Sequence, residues 1–298
     1  MRAHAHACAL RRSVCREQPY HTGNVEVFLR SFVLVVAALG ESGHAVAQAP
    51  ASEGWGLTVG AGGLVTPTYE GDDSYRLSIL PNIQVTYGDD FFASVQEGVG
   101  YRIINEETLR VGPIGRLKFS RGEDGDQPFA VTGEDTTDLQ GLGEIDTTFE
   151  VGGFVEYEFG DITLGAEARK AVSGHDGAVL DIDASWSGRS MAFGPPLIWS
   201  FGPRVRIVDD TYTEAYFGVT PAQSLASGLP VYSAGGGVYS YGIGGTAILP
   251  LDRDNRWSAV LFASYERLAG DAASSPLVQL RGSEDQATLG VFVSYRAF

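Results

Sequence analysis

The sequence has 298 residues, is 44% apolar, and contains 39 Gly, 13 Tyr, 15 Phe and two Cys, which excludes a disordered chain and a disulfide-stapled mini-domain. Its 21 Lys and Arg stand against 37 Asp and Glu, a net charge of −16; no nucleic-acid partner is expected, because a phosphate-tracking surface needs clustered basic residues. The longest apolar run, Phe32 to Leu39, is too short to cross a bilayer as a helix, which leaves open a β-barrel membrane protein, whose strands carry only alternating apolar residues.

The first segment differs from the rest. Arg30, the apolar run from Phe32, and Ala45-Val46-Ala47 before Gln48 form the three ordered regions of a secretory signal, with cleavage expected after Ala47. The polar residues ahead of it suggest a start near Val25 or Val27. Removing residues 1–47 takes away Cys8, Cys15, four of the five His, five Arg and three acids, leaving 16 basic and 34 acidic residues, a net charge of −18, and His175 alone. An exported chain without thiols can hold no cysteine-based metal or redox site. Residues 48–53 read as a short periplasmic lead and residues 54–298 as one domain.

From residue 54 onward the pattern has period two. Trp55, Leu57, Val59 and Ala61 alternate with small or polar residues, followed by Leu77, Ile79, Ile83, Val85 and Tyr87. Further segments carry Val99, Tyr101 and Ile103, then Leu109, Val111, Leu117 and Phe119, then Phe149, Val151, Val155, Tyr157 and Phe159. Ile162 to Ala168, Leu180 to Trp186 and Trp199 to Ile207 continue the series, which closes with Tyr239 to Leu249, Trp257 to Tyr265 and Leu289 to Tyr295. Each reads as a strand with one apolar face. Only Thr220 to Ser227, with Thr220 as cap and Pro221 in the first turn, looks helical.

The second face separates a soluble sandwich from a membrane barrel. It carries Arg110, Arg116 and Lys118 on one strand and Glu150, Glu156 and Glu158 on the next, then Glu167 and Arg169, Asp181 and Asp183, and Arg204 and Arg206. If strands neighbour in sequence order, opposite charges lie side by side, and a membrane barrel would enclose them as a polar lumen while the apolar face meets lipid. Short turns at Gly160-Asp161 and Asp252 to Arg256 alternate with long polar loops near residues 121–146, 209–235 and 269–285, the one-sided asymmetry of outer-membrane barrels. Eleven strands are clear, but an even number and periplasmic termini require a twelfth. A hidden crossing between residues 88 and 108, made by splitting Phe91 to Ile104 near Gln96-Glu97-Gly98, supplies it. The expected fold is therefore all-β, a transmembrane antiparallel up-and-down barrel of about 12 strands.

The chain ends in Phe298 after Tyr295. A terminal aromatic on an alternating strand is the usual signal read by the barrel-assembly machinery, so Tyr295 and Phe298 are its expected carriers. Ala297 puts Phe298 out of phase, so a bulge or frayed end is expected.

Several segments together resemble the MipA/OmpV family of outer-membrane proteins (MltA-interacting protein-like): Ala61 to Tyr75, Gly98 to Tyr101, Leu139 to Asp146, Tyr216 to Gly228 (YFGVTPAQSLASG) and Leu268 to Pro276 (LAGDAASSP). The resemblance covers residues 54–298 and implies an integral barrel in the outer membrane of a Gram-negative bacterium, in contact with outer-membrane lipid and lipopolysaccharide. For the best-known member it implies a non-enzymatic scaffold that links a lytic transglycosylase to a penicillin-binding protein. Other members are discussed as osmoregulated proteins or as factors in antibiotic uptake and adhesion. It carries over no catalytic residue, cofactor or metal.

Three features admit sharper readings. His175, between Ser173 and Asp176, is compatible with a hydrolase at the barrel rim, which needs a base oriented by a carboxylate and within reach of a hydroxyl; Gly174 and Gly177 read instead as a turn. Glu70 to Asp73 and Gly122 to Asp126 have the composition of calcium loops without their spacing, and the alternative is a solvated acidic loop or shared divalent cations with lipopolysaccharide phosphates. The lumen charges either line a narrow channel for small cationic solutes or antibiotics, or fill the bore; the long Arg and Glu side chains favour a largely occluded lumen.

Overall fold

The computed structural model describes residues 54–125, 129–133, 136–191 and 195–298; the signal-like segment 1–47 and the lead at 48–53 lie outside them. The strands are β1 (Trp55–Pro67), β2 (Tyr75–Tyr87), β3 (Phe91–Ser94), β4 (Gly98–Tyr101), β5 (Ile104–Asn105), β6 (Leu109–Lys118) and β7 (Ala130–Thr132). They continue as β8 (Thr148–Phe159), β9 (Ile162–Ala171), β10 (Ala178–Ser190), β11 (Leu197–Val208), β12 (Gly237–Pro250), β13 (Trp257–Leu268) and β14 (Asp285–Arg296). All pairings are antiparallel, and β1 bonds both β14 and β2, so the sheet closes. Apart from β5, which extends the β4 wall along β6, and β7, which is added to the rim of β2, the ring is a closed barrel of 12 strands. The hidden crossing is the β3–β4 hairpin, which turns between Ser94 and Gly98.

Alternation decides which way each strand faces. Val59, Ile79, Val151, Val155, Leu164, Ile243 and Val291 are exposed on the outside, the band that a barrel presents to hydrocarbon. Phe159 pairs with Ile162 across the two-residue turn Gly160-Asp161, where Gly160 takes φ +63°, a left-handed value that suits glycine at the first turn position. All four Trp lie at this short-turn end. Trp55 packs on Tyr87 and Phe91, Trp186 on Trp199, and Trp257 on Tyr295, forming the aromatic girdle of one membrane interface.

The loop end is built differently from the sequence expectation of a single helix. The expected one is present as α2 (Pro221–Ser227), with Thr220 and Gln223 forming a reciprocal capping box. It is accompanied by α1 (Asp210–Phe217), α3 (Gly270–Ser274) and α4 (Pro276–Arg281). These run five to eight residues, too short to hold alone or to show a period in sequence. They persist because Tyr212, Tyr216 and Phe217 of α1 bury against Ala272, Ala273 and Val278 of α3 and α4, and because Asp209 caps α1 through Tyr212 N–H (2.9 Å). A second buried group, Tyr69, Leu139, Leu142, Val219, Leu229 and Leu277, ties the other loops to this cap. No helix among the described residues is long and apolar enough to cross a membrane.

The carboxyl end is anchored rather than frayed. Ala297 N–H donates to Leu57 O (2.8 Å) and Leu57 N–H donates to Phe298 O (3.2 Å), so one residue of β1 faces two of the terminus, a bulge.

Candidate functional site

The charged residues of β6 to β11 lie on the face opposite the lipid-facing apolar residues and bond to one another across the interior. The register sets Arg110 opposite Glu156 and Arg116 opposite Glu150, as strand order required, yet the close contacts run diagonally. Arg110 donates to Glu158 (2.9 Å) and lies 3.7 Å from Glu156. Arg116 makes a two-pronged bond to Glu167, one strand further on (2.5 and 2.8 Å), the strong fork geometry of guanidinium on carboxylate.

Arg169 is the centre of the set. It bonds Glu150 (2.7 Å), Asp181 (2.8 Å) and Glu167, while Arg206 holds the other side of Asp181 (2.7 Å). The side chains of Arg169 and Glu150 are only 6% and 5% exposed. Three guanidiniums, Arg116, Arg169 and Arg206, thus face three carboxylates, Glu150, Glu167 and Asp181, and the group is neutral overall. Arg204 pairs separately with Glu266 (3.1 Å), which also accepts from Ser240 (2.9 Å).

A second junction lies toward the loop end. Lys118 donates to Glu70 (2.9 Å) and to Tyr212, and Glu70 also accepts from Tyr239 (2.6 Å) and Tyr212 (3.3 Å). Lys118 ends β6 and Tyr239 begins β12, five steps apart around the ring of twelve, almost diametrically opposite. Side chains so placed can meet only inside the bore, so this junction stands across its mouth under the helical cap. Burial alone would raise the Glu70 carboxyl, but the Lys118 ammonium and the Tyr239 hydrogen bond outweigh it and hold it at about 2. The neighbouring Asp72 is fully buried, with Oδ2 lacking a partner among the described residues; burial raises it to about 6 against the bond from Ser74 N–H.

The first external loop is therefore no solvated acidic loop at Glu70 and Asp72, since both turn into the cap. In the second acidic segment Glu123 accepts from Gly143 N–H (2.8 Å), while Asp126 lies outside the described residues. No group of three or more His, Cys, Asp or Glu among the described residues is placed to hold a metal ion.

His175 lies on the expected turn, with Gly174 at φ +76°, and its ring is buried beneath Tyr212 and Tyr216. Its Nδ1 accepts from Gly177 N–H (2.9 Å), which assigns the proton to Nε2, bonded to Glu150 (3.1 Å). Ser173 Oγ accepts from Phe149 N–H (3.1 Å). Both ring nitrogens are engaged, so the ring presents no lone pair to a hydroxyl, and the arrangement a rim hydrolase needs is not assembled here.

Sequence reasoning misplaced or passed over several residues. Tyr239, counted with the apolar series of its strand, turns inward beside the register shift at Arg206 and Ile207 and bonds Glu70, which the sequence marks only as part of an acidic loop; Tyr212 and Glu266, which complete the pairs, carry no periodic signal. Phe92, Ile114 and Phe154 are apolar yet point inward, packed together with Arg102 over the Phe92 ring (4.9 Å). A cavity of about 290 Å³ lies under the cap, lined by polar residues such as Glu70, Arg206, Ser264 and Glu266 and by apolar ones such as Pro67 and Leu268. Of the two assembly-signal residues, Tyr295 accepts from Arg256 (3.2 Å), and the Phe298 side chain is 66% exposed.

The sequence profile described as MltA-interacting protein MipA matches residues 59–297. No curated protein sequence matches the chain. Among solved structures, the NanC porin is 9% identical, covers 80% of this chain and 98% of its own, and superposes with a TM-score of 0.36. A bacterial polysaccharide outer membrane secretin is 11% identical over 83% of this chain and 99% of its own, with a TM-score of 0.38. OprD of Pseudomonas aeruginosa is 12% identical over 82% of this chain and 67% of its own, with a TM-score of 0.34.

Proposed function

The chain belongs to the MltA-interacting protein family, and from that premise we propose that it is a non-enzymatic barrel of the Gram-negative outer membrane that holds a lytic transglycosylase and a penicillin-binding protein against its periplasmic end. The match over residues 59–297 carries this reading. The interior supports it, because the charges that would line a channel pair with one another across it, and His175 is engaged on both nitrogens. Of the two surfaces that a scaffold of this shape offers, the terminal strand edge is taken, since β14 pairs with both β13 and β1. The periplasmic turns remain. They carry Asp89, Asp90, Glu106, Glu107 and Asp161, while in the turn at 252–256 Asp252 and Asp254 are balanced by Arg253 and Arg256; the acidic part of this rim suits a basic partner face and salt-sensitive association. Tyr295 and Phe298 would serve the barrel-assembly machinery, and the outward band would meet lipid and lipopolysaccharide.

A narrow channel for small cationic solutes or antibiotics is the second reading, favoured by the cavity of about 290 Å³ with Glu70 and Glu266 on its wall. Planar-bilayer recording combined with capture of a purified transglycosylase separates the two. Silence with capture is the expected result. Stable conductance steps without capture would replace the scaffold by the channel.

A further inference from the structure

The cavity of about 290 Å³ under the cap has one side laid out by strand register. Ser264 of β13 stands opposite Thr288 of β14. Thr66 follows Val65, which pairs with Leu289, so it falls beside Thr288 on the other flank. The three hydroxyls therefore form a row across three adjoining strands, about 4.8 Å from one strand to the next, and all three line the cavity. None of them bonds to another protein group among the described residues.

Every charged side chain on the wall, by contrast, already has a partner. Glu70 accepts from Lys118 and Tyr239, Glu266 from Arg204 and Ser240, and Arg206 donates to Asp181. These three ion pairs cancel. A charged ligand would enter without a counter-ion or would have to break one of them, and either way a charge is left buried and unpaired. The rest of the wall is apolar, formed by the rings of Tyr69 and Tyr239 with Pro67 and Leu268. The hydroxyls of both rings are committed elsewhere, Tyr69 to Arg281 O (3.2 Å) and Tyr239 to Glu70 (2.6 Å). Water would fill this space with about ten molecules at about 30 Å³ each. Those lying against the rings, Pro67 and Leu268 lack partners on that side, and such water is released with a gain when an apolar surface takes its place.

We propose that this cavity is a binding site for a neutral, polyhydroxylated ligand of monosaccharide size, its hydroxyls meeting the row of Thr66, Thr288 and Ser264 and its C–H face the side of Tyr69 and Tyr239. A hydroxyl both donates and accepts, so it can pair with serine, threonine and the spare lone pairs of Glu70 and Glu266 without unsettling an ion pair. The volume is close to the lower end of ligand pockets, roughly 300–1,000 Å³, which suits one sugar ring. The site stands whether or not the periplasmic turns hold a partner, and it differs from a path for cationic solutes in the charge it selects.

The test is equilibrium dialysis of the folded chain, held in a zwitterionic detergent that carries no sugar, against radiolabelled glucose, glucosamine in its ammonium form and glucuronate. The three present one ring as a neutral, a cationic and an anionic ligand. Glucose is expected to bind saturably, and each charged sugar more weakly by about tenfold or more. Ser264→Leu and Thr288→Leu each remove one hydroxyl and fill the space, and each should weaken glucose binding by about tenfold or more. Two such variants keep the test decisive if one does not fold. Ser258→Leu, on the same face of β13 but about 20 Å away at 3.3 Å per residue, should bind glucose as the unaltered chain does. Absence of saturable glucose binding would overturn the proposal. Equal or tighter binding of either charged sugar would do the same, with preference for glucosamine marking an acidic cation site instead. Undiminished binding in both cavity variants, or an equal loss in Ser258→Leu, would also overturn it.

Discussion

Replacing Arg169 by methionine tests whether the interior charges act as one neutral unit. Arg169 is the sole cation on Glu150, whose other partner is the His175 ring, whereas Glu167 keeps Arg116 and Asp181 keeps Arg206. The substitution turns three cations against three carboxylates into two against three. It leaves Glu150, 5% exposed, charged and without a counter-ion. Breaking a buried ion pair by removing one partner costs about 3–5 kcal/mol, whereas replacing both members by neutral groups is often close to neutral. Arg169→Met should therefore lower the unfolding free energy by about 3–5 kcal/mol, and Arg169→Met with Glu150→Gln should recover most of that loss. Urea unfolding in detergent micelles, followed by the fluorescence of the girdle tryptophans, measures both. A loss below about 1 kcal/mol for the single variant would show that water or rearranged partners neutralise Glu150. A double variant no better than the single would show that packing of the Arg169 stem, not charge, is what the site supplies.

Three further outcomes follow from the cap and the topology. The cap should be tightest in mild acid: Asp72, raised to about 6 in the folded protein, takes up its proton there more readily than at its ordinary 3.8, so falling pH first stabilises. Glu70, held at about 2 against an ordinary 4.5, contributes stability that is lost as pH falls from 4.5 toward 2. Hydrogen-exchange protection at Gly71 and Leu277, corrected for intrinsic rates, should pass through a maximum, and Asp72→Asn should flatten its neutral side; a monotonic profile would contradict both assignments. Glu70→Ala removes the acceptor shared by Lys118, Tyr212 and Tyr239 across the bore, so current steps should appear in planar bilayers where the unaltered chain is silent, and continued silence would mean the helices seal the mouth without it. Thiol labelling from outside intact cells should modify Leu225→Cys, at a position 91% exposed, and Ser274→Cys, but not Asp161→Cys or Asn255→Cys. Gly125 is buried against Thr68 and Thr136 and is a poor reporter; labelling at Asp161→Cys with protection at Leu225→Cys would invert the barrel.

The sequence by itself determined what is local. Period-two alternation is a property of each strand, so Val151 and Val155 outside and Glu150 and Glu156 inside are legible without any partner, and parity alone demanded the crossing at Phe91 to Tyr101. Loop lengths gave the two ends, and Thr220 with Gln223 gave one helix, because capping is settled within three residues. What only the tertiary structure decided depends on closure of the ring. Glu70 meets Tyr239 across 169 positions of sequence, and Arg116 passes over its opposite number Glu150 to reach Glu167, because curvature of the closed wall brings diagonal neighbours nearer than the flat ladder does. Helices α1, α3 and α4 are too short to announce themselves and exist only where their apolar sides meet one another. Alternation likewise says that β3 and β4 belong to the wall but not that they stop partway up it.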